Sequence, residues 1–192
     1  GKNRYQIFDA DQDRIVRGHH ESIQRIEEAL AGREFVLHFQ PKVNMSTGVI
    51  IGAEALIRWQ HPEQGLLPPA AFLPLIENHR ISVDIGEWVI DAALSAQKNW
   101  RVQGLHIPVS VNIGARQLQH PDFIDRLRDL LARHERVQPG ELELEILETS
   151  ALEDLPGIST VIRKCFDLGV RFALDDFGTG YSSLTYLRML PA

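Results

Sequence analysis

The sequence predicts an α/β chain of the (β/α)8 barrel type, incomplete within its 192 residues. Strand and helix patterns alternate with short joins after an opening hairpin, the order of parallel βα units. Oxygen-bearing side chains stand in or just after four strand-like runs: Glu54 in 51–57, Asn112 in 109–113, Glu145 in 142–147, and Asp175-Asp176 after 170–174. No G-x-G-x-x-G is present, whereas a doubly wound sheet gathers its ligands at one switch point with a glycine-rich first turn. A barrel draws its site from the C-terminal ends of several strands. It needs about 250 residues and eight strands, and five barrel-type strands are countable by Leu174.

Residues 1–9 read as the exit of a preceding unit, with Arg4-Tyr5-Gln6-Ile7-Phe8 as a short alternating strand. Asp13 to Ala31 reads as a helix within a linker over 10–32. Its stripe is Ile15, His19, Ile23, Ile26 and Leu30, with Asp13→Arg17 and Glu21→Arg25 as i,i+4 pairs and Gly32 as the C′ stop. The third unit spans 33–192. Its hairpin pairs Phe35–Val43 with Val49–Trp59 across Ser46-Thr47-Gly48. The proline-rich stretch His61 to Pro74 reads as a loop leading into a short helix. Asp84-Ile85-Gly86-Glu87 has capping-box spacing ahead of a helix whose apolar face is Trp88, Val89, Ala92, Ala96 and Trp100, ending near Gly104. Strand 107–113, helix 121–134, strand 142–147, helix 158–168 and strand 170–174 follow.

A formal charge of −6 offers no basic footprint for DNA or RNA polymers. Cys165 is the single cysteine, so no internal disulfide exists, and the face Val161, Ile162, Cys165, Phe166 places it in a core. No run of 18 apolar residues and no signal peptide is present, so a cytoplasmic segment is expected, with a membrane anchor elsewhere in a parent left open. The eight histidines are scattered and make no H-x-x-x-H pair on a helix face, which argues against zinc.

Acids and amides are poor strand formers, so their position at strand ends calls for a cause. Oxygen donors suit Mg²⁺ or Mn²⁺. Singly, each has a plainer account: Glu54 paired with Arg58, or Glu145 continuing the alternation Glu141, Glu143, Glu145 of a half-exposed strand. Asp175-Asp176 is harder to dismiss, because adjacent acids after a buried strand repel unless a cation or proton sits between them. The following Phe177-Gly178-Thr179-Gly180 is not a P-loop, lacking G-K-[ST].

Glu54-Ala55-Leu56 with Ile57-Arg58-Trp59 resembles the name-giving motif of the EAL domain family of cyclic di-GMP phosphodiesterases. Gln40-Pro41, Val111-Asn112-Ile113, Glu145-Ile146-Leu147-Glu148 and Asp175-Asp176-Phe177-Gly178-Thr179-Gly180 fall in that family's order, over about 33–192. Residues 1–9 look like the last strand of a GGDEF domain, which implies a tandem GGDEF–EAL parent.

The resemblance implies a modified (β/α)8 barrel with an antiparallel first strand. It implies one metal on Glu54, Asn112, Glu145 and Asp175, and a second on Asp175 and Asp176, with Mg²⁺ or Mn²⁺ as the ions. It implies that Glu148 steadies the loop after Asp176, and that Gln40, Leu56 and Arg58 contact the dinucleotide, Arg58 at a phosphate oxygen. The implied reaction is hydrolysis of cyclic di-GMP to linear pGpG, and a homodimer is compatible with it. Leu147 departs from the family's usual Thr. A family Lys, Glu and Gln fall after Ala192, so little turnover is expected of residues 1–192 alone. Two other functions compete: a cyclic di-GMP receptor that binds without cleaving, and an interaction scaffold working through helix 13–31.

Overall fold

The computed structural model describes residues 10–134, 137–147 and 155–175. The strand expected at Arg4–Phe8, Asp176, Glu148 and the 177–180 loop lie outside them. Helix α1 (Ala10–Ala31) leads into the antiparallel pair β1 (Phe35–Val43) and β2 (Ile50–His61). A short β3 (Gly65–Leu67) folds back antiparallel on β2. After a 3-10 turn come α2 (Leu73–Ile76) and α3 (Ile81–Val102), then β4 (Val109–Asn112), α4 (Ala115–Leu118), α5 (Phe123–Arg133), β5 (Leu142–Leu147), α6 (Leu155–Asp167) and β6 (Arg171–Asp175).

The strands form one six-stranded sheet in the order β1-β2-β4-β5-β6, with β3 branching from β2. From β2 onward this path is parallel. The antiparallel first strand followed by parallel βα units is the expected modified barrel, and β1 and β6 remain unpaired edges among the described residues.

The two faces of the sheet differ in chemistry because side chains alternate along each strand. One face carries Ala55, Ile57, Val109, Val111, Leu142, Leu144 and Ile146, each 7% exposed or less. They join a core with Ile85, Val89, Ala93 and Leu94 of α3, Phe123, Leu127 and Leu130 of α5, and Ile158, Ile162 and Cys165 of α6. The opposite face carries the polar partners of that alternation and is the concave side of the unit.

Several local expectations are corrected. Helix α3 begins at Ile81, so Asp84 lies in its first turn rather than at a cap, and the N-cap Arg80 makes no side-chain cap bond. Its buried line runs through Ile85, Val89, Ile90, Ala93, Leu94 and Gln97, rotated from the face expected through Trp88 and Trp100, which are only partly buried. Helix α1 ends at Ala31 as expected, but the left-handed residue of its stop is Arg33, not Gly32. Arg33, at φ 57°, takes the left-handed position, and Glu34 N–H closes onto Ala29 O at 3.0 Å, the bond pattern of a Schellman stop. Arg25 pairs with Glu34 at 2.5 Å rather than with Glu21.

The Arg25–Glu34 pair also ties α1 to β2. The Trp59 indole N–H donates to Glu34 Oε2 at 2.8 Å, and the Arg25 guanidinium sits 5.3 Å from the Trp59 ring centroid. The Trp59 and Arg25 hydrogen bonds hold the Glu34 carboxyl below its ordinary range.

Candidate active site

Strand register decides which side chains share a face. Gln40 of β1 lies opposite Glu54 of β2. Glu54 aligns with Ser110 of β4, and Ser110 with Glu143 of β5. One step further toward the C-terminal ends, Asn112 aligns with Glu145 and Glu145 with Ala173, and Leu147 aligns with Asp175. With a period of two, Gln40, Glu54, Leu56, Arg58, Asn112, Glu145 and Asp175 all stand on the concave polar face. The helix-facing set in between, such as Ala55, Val111 and Ile146, is buried and apolar.

The sheet brings Glu54 and Asn112 into direct contact, Asn112 Nδ2 donating to Glu54 Oε1 at 2.7 Å. The plainer account of Glu54 fails: Arg58 does not pair with it but donates to the Ile57 carbonyl at 2.9 Å. The plainer account of Glu145 fails as well, since it is 7% exposed and faces the polar interior. Asp175 closes β6 at the same end and is exposed.

A residue that sequence reasoning passed over completes the floor of this face. Lys42 of β1 donates to Ser110 Oγ at 2.6 Å and to Glu143 Oε1 at 3.1 Å, and it bonds Glu145 Oε1. Ser110 in turn donates to Glu143 at 2.8 Å. Burial opposes the Lys42 ammonium, but its hydrogen bonds with Glu145 and Glu143 prevail and its pKa is raised. The order β1-β2-β4-β5 puts three strand spacings of about 4.8 Å each between Lys42 and Glu145 in a flat sheet, more than a lysine spans. The contact exists because the sheet is curled toward a barrel. Lys42 stands opposite Gly52, whose missing side chain leaves a path across β2. The only hint of this in the sequence was that Lys42 follows Gln40 at strand spacing.

The donor chemistry fits hard divalent cations: three carboxylates and one amide on one face, in a region that already holds an ammonium ion. Among the described residues no three His, Cys, Asp or Glu side chains close around an ion as they stand. The described face thus supplies oxygen donors on adjacent strands.

A curled, mostly parallel sheet with acids and an amide along one face defines a barrel-type α/β domain with oxygen donors on that face. The chain belongs to the EAL domain family, whose profile matches residues 23–192. It is 40% identical over its whole length to the bifunctional diguanylate cyclase/cyclic di-GMP phosphodiesterase MucR of Pseudomonas aeruginosa, covering 28% of that protein. It is 34% identical to the cyclic di-GMP phosphodiesterase PA2567 of the same organism, over 86% of the chain and 28% of the relative. The chain therefore spans little more than a quarter of the length of these curated relatives. Among solved structures it resembles the PaMucR phosphodiesterase in its c-di-GMP complex, with a TM-score of 0.83 and 42% identity. That match covers 90% of this chain and 70% of the other.

Proposed function

We propose that the protein hydrolyses the second messenger cyclic di-GMP to linear pGpG at the concave face. The observation that carries this is the common placement of Glu54, Asn112, Glu145 and Asp175 on one face of four adjacent parallel strands, Asn112 and Asp175 at C-terminal ends and Glu54 and Glu145 within their strands. Support comes from the 40% identity to MucR, a named cyclic di-GMP phosphodiesterase.

Glu54, Asn112, Glu145 and Asp175 would hold one divalent cation, and Asp175 with Asp176 a second, Mg²⁺ or Mn²⁺ in each case. Bound there, such ions lower the pKa of a water and neutralise phosphate oxygens for in-line displacement. The chain's own groups supply the rest. Asn112 fixes the Glu54 carboxylate by its 2.7 Å bond, so this ligand is oriented before any ion arrives. Arg58 offers guanidinium N–H groups to a non-bridging phosphate oxygen, while Gln40 and Leu56 line the same face beside the guanine-bearing ligand. Glu148 would steady the segment after Asp176. In domain terms, residues 1–9 would end a GGDEF unit, 10–32 form a joining helix, and 33–192 belong to the hydrolytic domain.

The test is chromatographic. The protein in full is incubated with cyclic di-GMP and Mg²⁺ or Mn²⁺, beside Glu54→Gln and a chelated control. Formation of pGpG that requires the cation and is lost in Glu54→Gln is expected. Cation-independent turnover, or turnover undiminished in Glu54→Gln, would contradict the proposal.

A further inference from the structure

We infer that Lys42 is the resident counter-cation of Glu145 and sets the site's divalent-ion affinity by competing for that carboxylate. This rests on the proposed role of Glu145 as a metal ligand.

An ammonium has three N–H donors and no acceptor. Lys42 spends them on three acceptors: Ser110 Oγ at 2.6 Å, Glu143 Oε1 at 3.1 Å, and Glu145 Oε1. A fully satisfied ammonium is a built arrangement, not an accidental approach of a flexible side chain. Its position is prepared by the backbone. The register of β1 against β2 shifts between Lys42 and Val43, the mark of a bulge, and bulges re-aim neighbouring side chains. Opposite Lys42 stands Gly52, where an added Cβ would come within 3.3 Å of Pro108 O and 3.9 Å of Lys42 Cβ.

The acceptors differ in level. Glu145 lies beside Asn112, on the step nearer the proposed ions, whereas Ser110 and Glu143 lie one step deeper and are joined at 2.8 Å. Without a divalent ion, Lys42 offsets the cost of burying Glu145, which is 7% exposed. When an ion engages Glu145, the ammonium retains Ser110 and Glu143 but loses one charge-assisted bond and faces a like charge. Binding therefore works against Lys42. Glu143 shares the ammonium and so moderates its hold on Glu145.

The experiment measures Mn²⁺ affinity directly, by the free-Mn²⁺ paramagnetic resonance signal, without nucleotide. It compares the intact protein with Lys42→Met, Glu143→Gln, the double variant and Glu145→Gln. Lys42→Met is expected to bind Mn²⁺ about tenfold or more tighter, since an adjacent like charge in a partly buried site is removed. Its metal-free form should melt lower than the parent, and saturating Mn²⁺ should close that gap. Glu143→Gln is expected to bind more weakly, because the ammonium then has one carboxylate, Glu145. In the Lys42→Met background Glu143→Gln should have little further effect, a non-additivity that a general field would not produce.

Unchanged or weaker binding by Lys42→Met overturns the inference, as does an equal effect of Glu143→Gln in both backgrounds. Should Lys42→Met fail to fold, Glu143→Gln alone decides: unchanged or tighter binding overturns the competition. Glu145→Gln binding Mn²⁺ as tightly as the parent would overturn the ligand assignment along with it. Glu145→Gln losing Mn²⁺ while Lys42→Met is unchanged would overturn only the role of Lys42.

Discussion

Leu144→Ala probes the layer that holds the polar face in place. Leu144 is fully buried on the helix side of β5, between Glu143 and Glu145, and β5 is paired to β4 on one side and β6 on the other. The truncation removes groups worth about 0.8 kcal/mol per buried carbon, or roughly 2.4 kcal/mol in transfer terms. A strand held from both sides collapses little into the space, so a cavity cost adds to this, for a total of about 3–4 kcal/mol. At about 2–4 °C per kcal/mol for a chain of this size, melting should fall by roughly 6–16 °C. Leu66→Ala is the control: Leu66 is 51% exposed on β3, and its loss should stay within about 0.5 kcal/mol. Urea unfolding followed by circular dichroism measures both. A cost for Leu144→Ala below about 1 kcal/mol, or equal to that of Leu66→Ala, would refute the placement of the core on this face.

Arg33→Gly should raise stability by about 0.5–1 kcal/mol, because Arg33 pays for a left-handed backbone at φ 57° that glycine adopts freely; a lower melting temperature would contradict the helix stop described. Trp59→Phe should raise the Glu34 pKa, since the indole N–H is the leading cause of its depression. A depressed carboxyl adds stability above its unfolded pKa and loses it as pH falls through the folded value. The stability gap between parent and Trp59→Phe should therefore narrow on acidification below the ordinary carboxylate pKa, and a gap independent of pH would count against the bond. Cys165 has its thiol pKa pushed up to about 12 by burial, so it should resist a thiol reagent at neutral pH and react promptly in denaturant; fast labelling of the folded protein would place it at the surface.

How far the sequence carried can be judged from particular elements. Strand β5 was expected at 142–147 and is found there, because five residues of strict alternation, Leu142 to Ile146, leave one possible face assignment. The shared face of Glu54, Asn112 and Glu145 followed from the same alternation plus the parallel order. Strand β3 and helix α4 were not foreseen: at three and four residues they are too short to show a period. The start of α3 was misplaced because burial of Ile81 and Val83 sustains a turn that has no capping side chain. Lys42 was invisible for a different reason. Its partners lie 68, 101 and 103 residues away, and they meet only when the sheet curls.

The most direct measurement is a crystal structure of the protein soaked with Mn²⁺, read by anomalous scattering. The account predicts a peak on the concave face bonded to oxygens of Glu54, Asn112, Glu145 and Asp175, at distances of about 2.0–2.3 Å for a hard cation of this size. A strong peak elsewhere, with those four side chains left uncoordinated at saturating Mn²⁺, would contradict it.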